Sequence, residues 1–154
     1  MVFSPVIAYS ADHFFQISPE ELWSTISQAE MFEQWWPWLG EFHLEGPGLT
    51  TGTVLHGVIT PPLPYRMRVE VELIDCLPCR KISAVVSGDL KGEALVLLAP
   101  KSQGTSVKVS WTVEMMQGPM RLASRFAHPV MQWGHDRVVD MTVAGLRRHL
   151  DLSG

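Results

Sequence analysis

Histidine is the side chain that best suits acid–base chemistry in this sequence, because its protonation changes near neutral pH. Among the six histidines, His13 alternates with Phe15 and Ile17, so a strand here would place it on an apolar, inward face. In that position it could hydrogen-bond a ligand hydroxyl or act as an acid or base. The alternative is a histidine of the core or its rim whose hydrogen bonds are satisfied. His13 is therefore a candidate, and no residue is assigned as catalytic.

His128, His135 and the acidic residues near them do not form a convincing metal site. His128 and His135 are seven residues apart, about 10.5 Å along a helix axis, which is too far to share one ion. Asp136 and Asp140 have i,i+4 spacing, but two carboxylates alone favour a solvated helix face. His56 lies in a strand-like segment with apolar residues in both phases, so its direction stays open. We predict no metal site and no cofactor.

Two cysteines occur as Cys76-Leu77-Pro78-Cys79. A redox motif of this form is expected where a strand leads into a helix, whereas this one lies between two strand-like segments. A zinc ribbon would need a second cysteine pair. The pattern therefore predicts a hairpin turn bent by Pro78, and whether the two thiols ever pair stays open.

Large apolar side chains suggest a binding surface. Trp35, Trp36 and Trp38 surround Pro37, and such rigid aromatic surface suits polycyclic molecules. The tryptophans could equally close one end of the core. Methionines such as Met115 adapt to irregular apolar guests, although core packing explains any one of them.

The bulk composition limits the function classes. With 154 residues, the chain is predicted to form one domain over 1–154. An apolar fraction of 46% and a charged fraction of 18% are typical of a folded protein. The net charge of −4 and the absence of a Lys/Arg cluster argue against nucleic-acid binding. No apolar run approaches the ~18–20 residues of a membrane span. Residues 1–15 lack the basic region and cleavage site of a signal peptide, so we expect a cytoplasmic protein.

The N-terminal part of the chain predicts a strand followed by two short helices. The strand covers Val6–Ile17, with alternate residues on one face. Ser18 is a predicted N-cap, since Pro19 and Glu21 follow at the positions of a capped helix start. This helix is predicted to end near Ala29, and a second helical piece covers Glu30–Trp36.

Strand patterns dominate the middle of the chain. Clean alternation of apolar and polar residues in two segments predicts half-buried antiparallel strands. Turn signals such as Gly88-Asp89 separate the segments. The predicted strands are Glu41–Leu44, Gly52–Thr60, Tyr65–Leu73, Lys81–Val86, Leu90–Leu98 and Thr105–Met116.

A long helix is predicted from Met120 to Leu150. About 30 residues would span about 45 Å, so this helix must lie across the whole sheet. Pro129 is expected to kink or break it. The complete pattern predicts an α+β fold in which a curved antiparallel sheet of six or seven strands wraps around the C-terminal helix.

This order of elements resembles the helix-grip fold of the START and birch-pollen-allergen superfamily, and local segments resemble its bacterial polyketide cyclase/dehydrase-like (SRPBCC) branch. The resemblance covers nearly the whole chain. It implies a cavity between sheet and long helix for an apolar or polycyclic molecule, but no particular reaction. The iron or Rieske chemistry of some members needs His and Cys ligands at spacings that this chain lacks. The segments that carry the resemblance are Ile17–Trp23, Gln34–Pro37, Gly88–Gly92, Gly104–Val107 and Val143–Leu146.

Three functional hypotheses follow from the sequence and the resemblance. The leading one is a binding protein for a small hydrophobic ligand such as a lipid, quinone or polyketide. The second is a cyclase or dehydratase with His13 as its base, and the third is a protein-interaction module, suggested only by the outward Phe14. The oligomeric state is left open. The predicted ligand-binding residues are His13 and Tyr65 as polar groups, and Phe15, Trp35, Trp38, Met67, Trp111, Met115, Phe126 and Trp133 as walls.

Overall fold

The computed structural model describes residues 6–62, 66–116 and 118–153, and within the last helix it describes the side chains of residues 132–150. A single 3₁₀ turn at Ala29–Met31 lies between the first two helices. The elements in chain order are β1 (Val6–Phe15), α1 (Pro19–Ile26), α2 (Phe32–Trp35), β2 (Leu39–Glu45), β3 (Val54–Ile59), β4 (Met67–Leu77), β5 (Lys81–Gly88), β6 (Leu90–Lys101), β7 (Gly104–Met115) and α3 (Gly118–Ser153).

The strands form one seven-stranded antiparallel sheet, as predicted. Their order across the sheet is β1-β7-β6-β5-β4-β3-β2, so all neighbours but one are also neighbours in the chain. The exception is β1, which pairs with β7 from Val6↔Glu114 to Phe15↔Thr105. The sheet is open, with β1 and β2 at its edges, and the order of strands and helices is that of the predicted helix-grip arrangement.

The predicted N-cap of α1 is confirmed. Ser18 Oγ accepts a hydrogen bond of 3.1 Å from the backbone N–H of Glu21, and Pro19 occupies the first turn. The helix ends at Ile26 rather than near Ala29. Ser27 Oγ donates to the carbonyl of Trp23 at 2.7 Å, and Gln28 leaves the helical backbone region. Side-chain bonding of this kind competes with the continuing helix.

The Cys-Leu-Pro-Cys segment leads into a hairpin turn, as predicted: Cys76 and Leu77 end β4, and residues 78–80 form the turn. The β4 strand continues to Leu77, four residues past the predicted end at Leu73, because a bulge between Leu73 and Asp75 interrupts the alternation without ending the pairing. Both cysteines are free thiols. Burial, and then the charge of Asp75, raise the pKa of the Cys76 thiol, which is the opposite of the shift that a reactive thiolate needs.

The β2 strand begins at Leu39, two residues before the predicted start at Glu41. Glu41 has a positive φ of 47°, and the register between β2 and β3 shifts between Gly40 and His43. The bulge hides the start of the strand from the sequence pattern, because it breaks the alternation of side chains.

The closing helix is one uninterrupted element, so Pro129 does not break it, and a kink at Pro129 stays a prediction. A proline removes only one hydrogen bond from the helical ladder, and a helix of 36 residues retains many others. No helix in the described part of the chain is long and apolar enough to cross a membrane.

The C-terminal helix is fastened to α2 at a point of very close approach. Gly145 is buried, and a Cβ atom on it would overlap the carbonyl oxygen of Trp35 and lie 3.0 Å from Cδ1 of Trp36. Trp36 Nε1 donates to the carbonyl of Thr142 at 2.9 Å. The ring of Trp35 packs against that of His149, with 4.5 Å between the ring centroids. These contacts hold α3 at a fixed position above the sheet.

Candidate functional site

A cavity of about 500 Å³ lies between the sheet and α3. This volume is within the range of small-molecule sites. Alternate residues of the strands supply most of its wall, and these include the apolar faces of β4 and β7. Helix α3 contributes Val138, Val139, Val143 and Leu146 from the opposite side. The strands contribute apolar side chains that include Ile7, Val69, Val86, Leu90, Val109 and Val113.

A group of polar wall residues lies on β1. Tyr9 and His13 are four residues apart on β1, so they share its inward face, and Tyr9 Oη lies 3.3 Å from His13 Nε2. The Tyr9 ring stacks on the indole of Trp111 at 4.6 Å and meets the ring of His135 edge-on at 5.5 Å. A hydroxyl and an imidazole are thus available at one side of an otherwise apolar cavity.

Hydrogen bonds fix the ring of His135. Trp111 Nε1 can only donate, and it lies 2.9 Å from His135 Nε2, so this nitrogen must be unprotonated. The proton is then on Nδ1, which lies 3.0 Å from Asp136 Oδ1. Hydrogen bonds from His135 and from Gln132 lower the pKa of the Asp136 carboxyl below its ordinary value of 3.8. His135 is therefore a wall residue whose ring is held in one orientation by hydrogen bonds at both nitrogens.

The Tyr9 phenol is held in its protonated form. Burial, and then the negative charges of Asp140 and Asp136, raise its pKa above the ordinary value of 10.0. Both causes act in the same direction, since each disfavours the phenolate. At neutral pH the Tyr9 hydroxyl is therefore available as a hydrogen-bond donor.

We expect a tyrosine titration to show the raised pKa of Tyr9 in the folded protein. In the folded protein, part of the phenolate absorbance should develop only above about pH 10, and Tyr9→Phe should remove that late component. Because the folded state favours the phenol, the stability that Tyr9 contributes is complete below about pH 10 and is lost as pH rises through the raised pKa. In denaturant both phenols should titrate together near about 10. A late component that persists in Tyr9→Phe would contradict this assignment.

The structure brings together most of the predicted ligand-binding residues at the cavity wall. Tyr65 lies outside the described residues, and the side chain of Phe126 also lies outside the described part. The predicted residues that line the cavity are His13, Phe15, Trp38, Met67, Trp111 and Met115.

Two predicted wall residues do not line the cavity. Trp35 is buried, but it packs against Ala29 and Phe32 in a separate apolar cluster beneath α3. Trp133 is 54% exposed. His135, Val138 and the other cavity-facing residues of α3 follow helical spacing, and position 133 falls outside that stripe.

Several wall residues were not among the predicted ones. Tyr9 shares the predicted inward face of His13, so the alternation contained the signal for it. Trp36 lines the cavity together with Trp38, whose ring it stacks on at 5.6 Å. His135 and Thr142 line it from α3. The Nε1 of Trp38 is buried and has no hydrogen-bond partner among the described residues.

Comparison with known proteins identifies the fold. Neither protein-family profiles nor curated proteins give a match. Among solved structures, TTHA0849 from Thermus thermophilus is 17% identical with a TM-score of 0.75, covering 96% of this chain and 100% of that one. Ara h 8.0201 is 15% identical with a TM-score of 0.61, covering 93% and 99%. The di-domain ARO/CYC StfQ from the steffimycin biosynthetic pathway is 14% identical with a TM-score of 0.62, covering 95% of this chain and 52% of that one. At these identities the likeness shows the helix-grip fold, which confirms the predicted architecture.

Proposed function

We propose that this chain binds a small, mainly apolar molecule, polycyclic or lipid-like, in the cavity between sheet and α3. The observation that carries the proposal is the cavity of about 500 Å³, whose wall is apolar except for a few polar groups. A packed protein interior has few voids larger than a water molecule. A cavity of this size and lining is the expected environment for an apolar ligand.

Burial of apolar surface would supply the affinity. At ~25 cal/mol per Å², a ligand that buries about 300 Å² of apolar surface gains about 7.5 kcal/mol before the cost of association. A flat, rigid molecule loses little conformational freedom on binding, and the stacked rings of Trp36 and Trp38 offer a flat aromatic surface at the cavity wall. These features favour a polycyclic ligand.

Polar groups would set the orientation of the ligand. The Tyr9 hydroxyl and His13 lie 3.3 Å apart at the wall, so they can donate a hydrogen bond to a ligand carbonyl, or donate to and accept from a ligand hydroxyl. The buried N–H of Trp38 has no acceptor among the described residues, and a buried donor without a partner is costly. A ligand oxygen could accept a hydrogen bond from Tyr9, or from the N–H of Trp38, which has no other acceptor in the described part of the chain.

A pair of fluorescent probes tests this proposal. We expect pyrene and 1-hydroxypyrene both to bind, the second about 3–10-fold more tightly, since one net hydrogen bond contributes about 0.5–1.5 kcal/mol. The double variant Tyr9→Phe, His13→Phe should remove this preference and leave pyrene affinity nearly unchanged. The matched control is His43→Phe, which alters an exposed histidine of β2. Failure of both probes to bind the wild-type protein would contradict the proposal, and mass spectrometry of an organic extract of the native protein would identify a natural occupant.

A second candidate is an enzyme that moves protons on a bound polyketide-like substrate. The specific observation in its favour is a protonated Tyr9 phenol beside His13 at the wall of a confined cavity. His13 could remove a proton next to a ketone while Tyr9 donates a hydrogen bond to the ketone oxygen. The His13→Phe variant separates the two candidates, because an enzyme would lose turnover of such a substrate while still binding it.

A further inference from the structure

A second group of polar side chains lies on the outer face of the sheet. Met67, Val69 and Val71 line the cavity, so the alternate residue Glu70 faces away from it. Glu70 is opposite His56 on β3, and His56 is opposite His43 on β2. Glu45, two residues beyond His43, projects from the same face of β2. Strand pairing therefore gathers two imidazoles and two carboxylates from three strands.

The side chains of this group contact one another closely. The rings of His43 and His56 are parallel within 4°, with centroids 4.4 Å apart. His56 Nε2 lies 3.0 Å from Glu45 Oε1, and His56 Nδ1 lies 3.6 Å from Glu70 Oε1. One ligand atom from each of His43, Glu45 and His56 lies within 4.8 Å of the others. In the described part of the chain, it is the one group of three His, Cys, Asp or Glu residues whose ligand atoms could share an ion.

We propose that His43, Glu45 and His56 form a binding site for a divalent transition-metal cation, with Zn²⁺ as the expected ion. Two imidazoles and one carboxylate are a ligand set that zinc uses, and Cu²⁺ and Ni²⁺ also favour imidazole. A fourth position would remain for water or another ligand. The site lies on the opposite side of the sheet from the cavity, so it is independent of the function proposed above.

Two of the ligand atoms already lie at a distance suited to one zinc ion. Two ligand atoms bound to one tetrahedral zinc at about 2.0–2.1 Å are about 3.3 Å apart, and His56 Nε2 and Glu45 Oε1 are already 3.0 Å apart. Zinc lies in the plane of an imidazole that binds it, so two parallel rings cannot share one ion. The His43 ring must therefore rotate, and its exposure leaves room for that rotation.

Charge also favours a cation here. The carboxylates of Glu45 and Glu70 lie on opposite sides of the His56 ring, one near each nitrogen. The nearest arginine on this face of β4, Arg68, is directed toward Glu41, with 3.5 Å between Nη2 and Oε2. Once Nε2 of His56 holds the metal, Nδ1–H of His56 can donate a hydrogen bond to Glu70, the arrangement by which carboxylates orient metal-bound histidines. The ion would tie the edge strand β2 to β3.

The test titrates ZnCl₂ into untagged, metal-free protein by calorimetry. We expect one Zn²⁺ per chain with micromolar affinity, and a zinc X-ray absorption spectrum with only N/O neighbours at about 2.0–2.1 Å. Glu70→Gln should weaken binding about 10–100-fold, and His43→Ala should weaken it at least as much. Glu72→Gln is the matched control, because Glu72 is an exposed carboxylate on the same face of β4 outside the group.

The competing zinc ligands are the free thiols Cys76 and Cys79. Sulfur neighbours at about 2.3 Å in the zinc spectrum, or binding that survives His43→Ala and disappears in Cys76→Ser, would overturn the proposal. Absence of binding at millimolar Zn²⁺ would overturn it as well. His43 is exposed, so far-UV circular dichroism and melting of His43→Ala in EDTA should match the wild type.

Discussion

Replacement of Ala94 by tryptophan is expected to lower the affinity for pyrene and 1-hydroxypyrene by about 100-fold or more, while the protein stays folded. Ala94 is in the middle of β6, opposite Ala84 and Trp111, and it lines the cavity. The larger side chain would extend into a volume of about 500 Å³ rather than into packed protein. It would occupy the space that the ligand needs, and a loss of about 100-fold corresponds to about 2.7 kcal/mol.

The matched control adds the same indole to the other face of the sheet. Val85 on β5 is 42% exposed, so Val85→Trp should leave probe affinity unchanged. Fluorescence titration measures both variants, and thermal melting verifies that both are folded. Wild-type affinity in Ala94→Trp would show that the probes bind outside the cavity.

Replacement of Gly145 by alanine is expected to destabilise the protein by about 2–3 kcal/mol, within the range for overpacked sites. Alanine normally stabilises a helix interior by about 1 kcal/mol relative to glycine. At this position the new methyl group would overlap the carbonyl oxygen of Trp35 and crowd the Trp36 ring. Helix α3 would have to move away from α2, which would weaken the hydrogen bond between Trp36 Nε1 and Thr142.

Urea denaturation measures this effect. The neighbouring exposed residue supplies the control, since Ala144→Gly changes the same helix by the ordinary propensity difference of about 1 kcal/mol. Both variants should therefore lower the free energy of unfolding, although Gly145→Ala adds an alanine and Ala144→Gly removes one. A stabilised Gly145→Ala variant would show that the close approach of α2 and α3 is not maintained in solution.

The features that could be predicted from the sequence are those with a strong local pattern. Alternation in Tyr65–Leu73 and Thr105–Met116 predicted two strands that are present and face the cavity as expected. The Ser18 cap has a chemical signature within four residues. The start of β2 and the last residues of β4 have no such local pattern, because bulges at Glu41 and beside Asp75 interrupt the alternation.

The arrangement of side chains across elements could not be predicted in the same way. His43 and His56 meet because β2 and β3 pair in one register, and a shift at the bulge sets that register. Trp35 and Trp36 are adjacent, yet one packs beneath α3 and the other lines the cavity. Nothing in the local sequence distinguishes them, since the placement of α3 decides which ring reaches the cavity.

The pairing of β1 with β7 has a consequence for folding. This pairing joins the first strand of the sheet in chain order with the last, from Phe15↔Thr105 to Val6↔Glu114. Strands paired over such sequence separations form slowly, because the chain must close a long loop first. On the ribosome, β1 would have no partner until β7 has emerged. Tyr9 would therefore meet Trp111 only after all the other strands of the sheet have been synthesised, so the polar side of the cavity would be completed after the rest of the sheet.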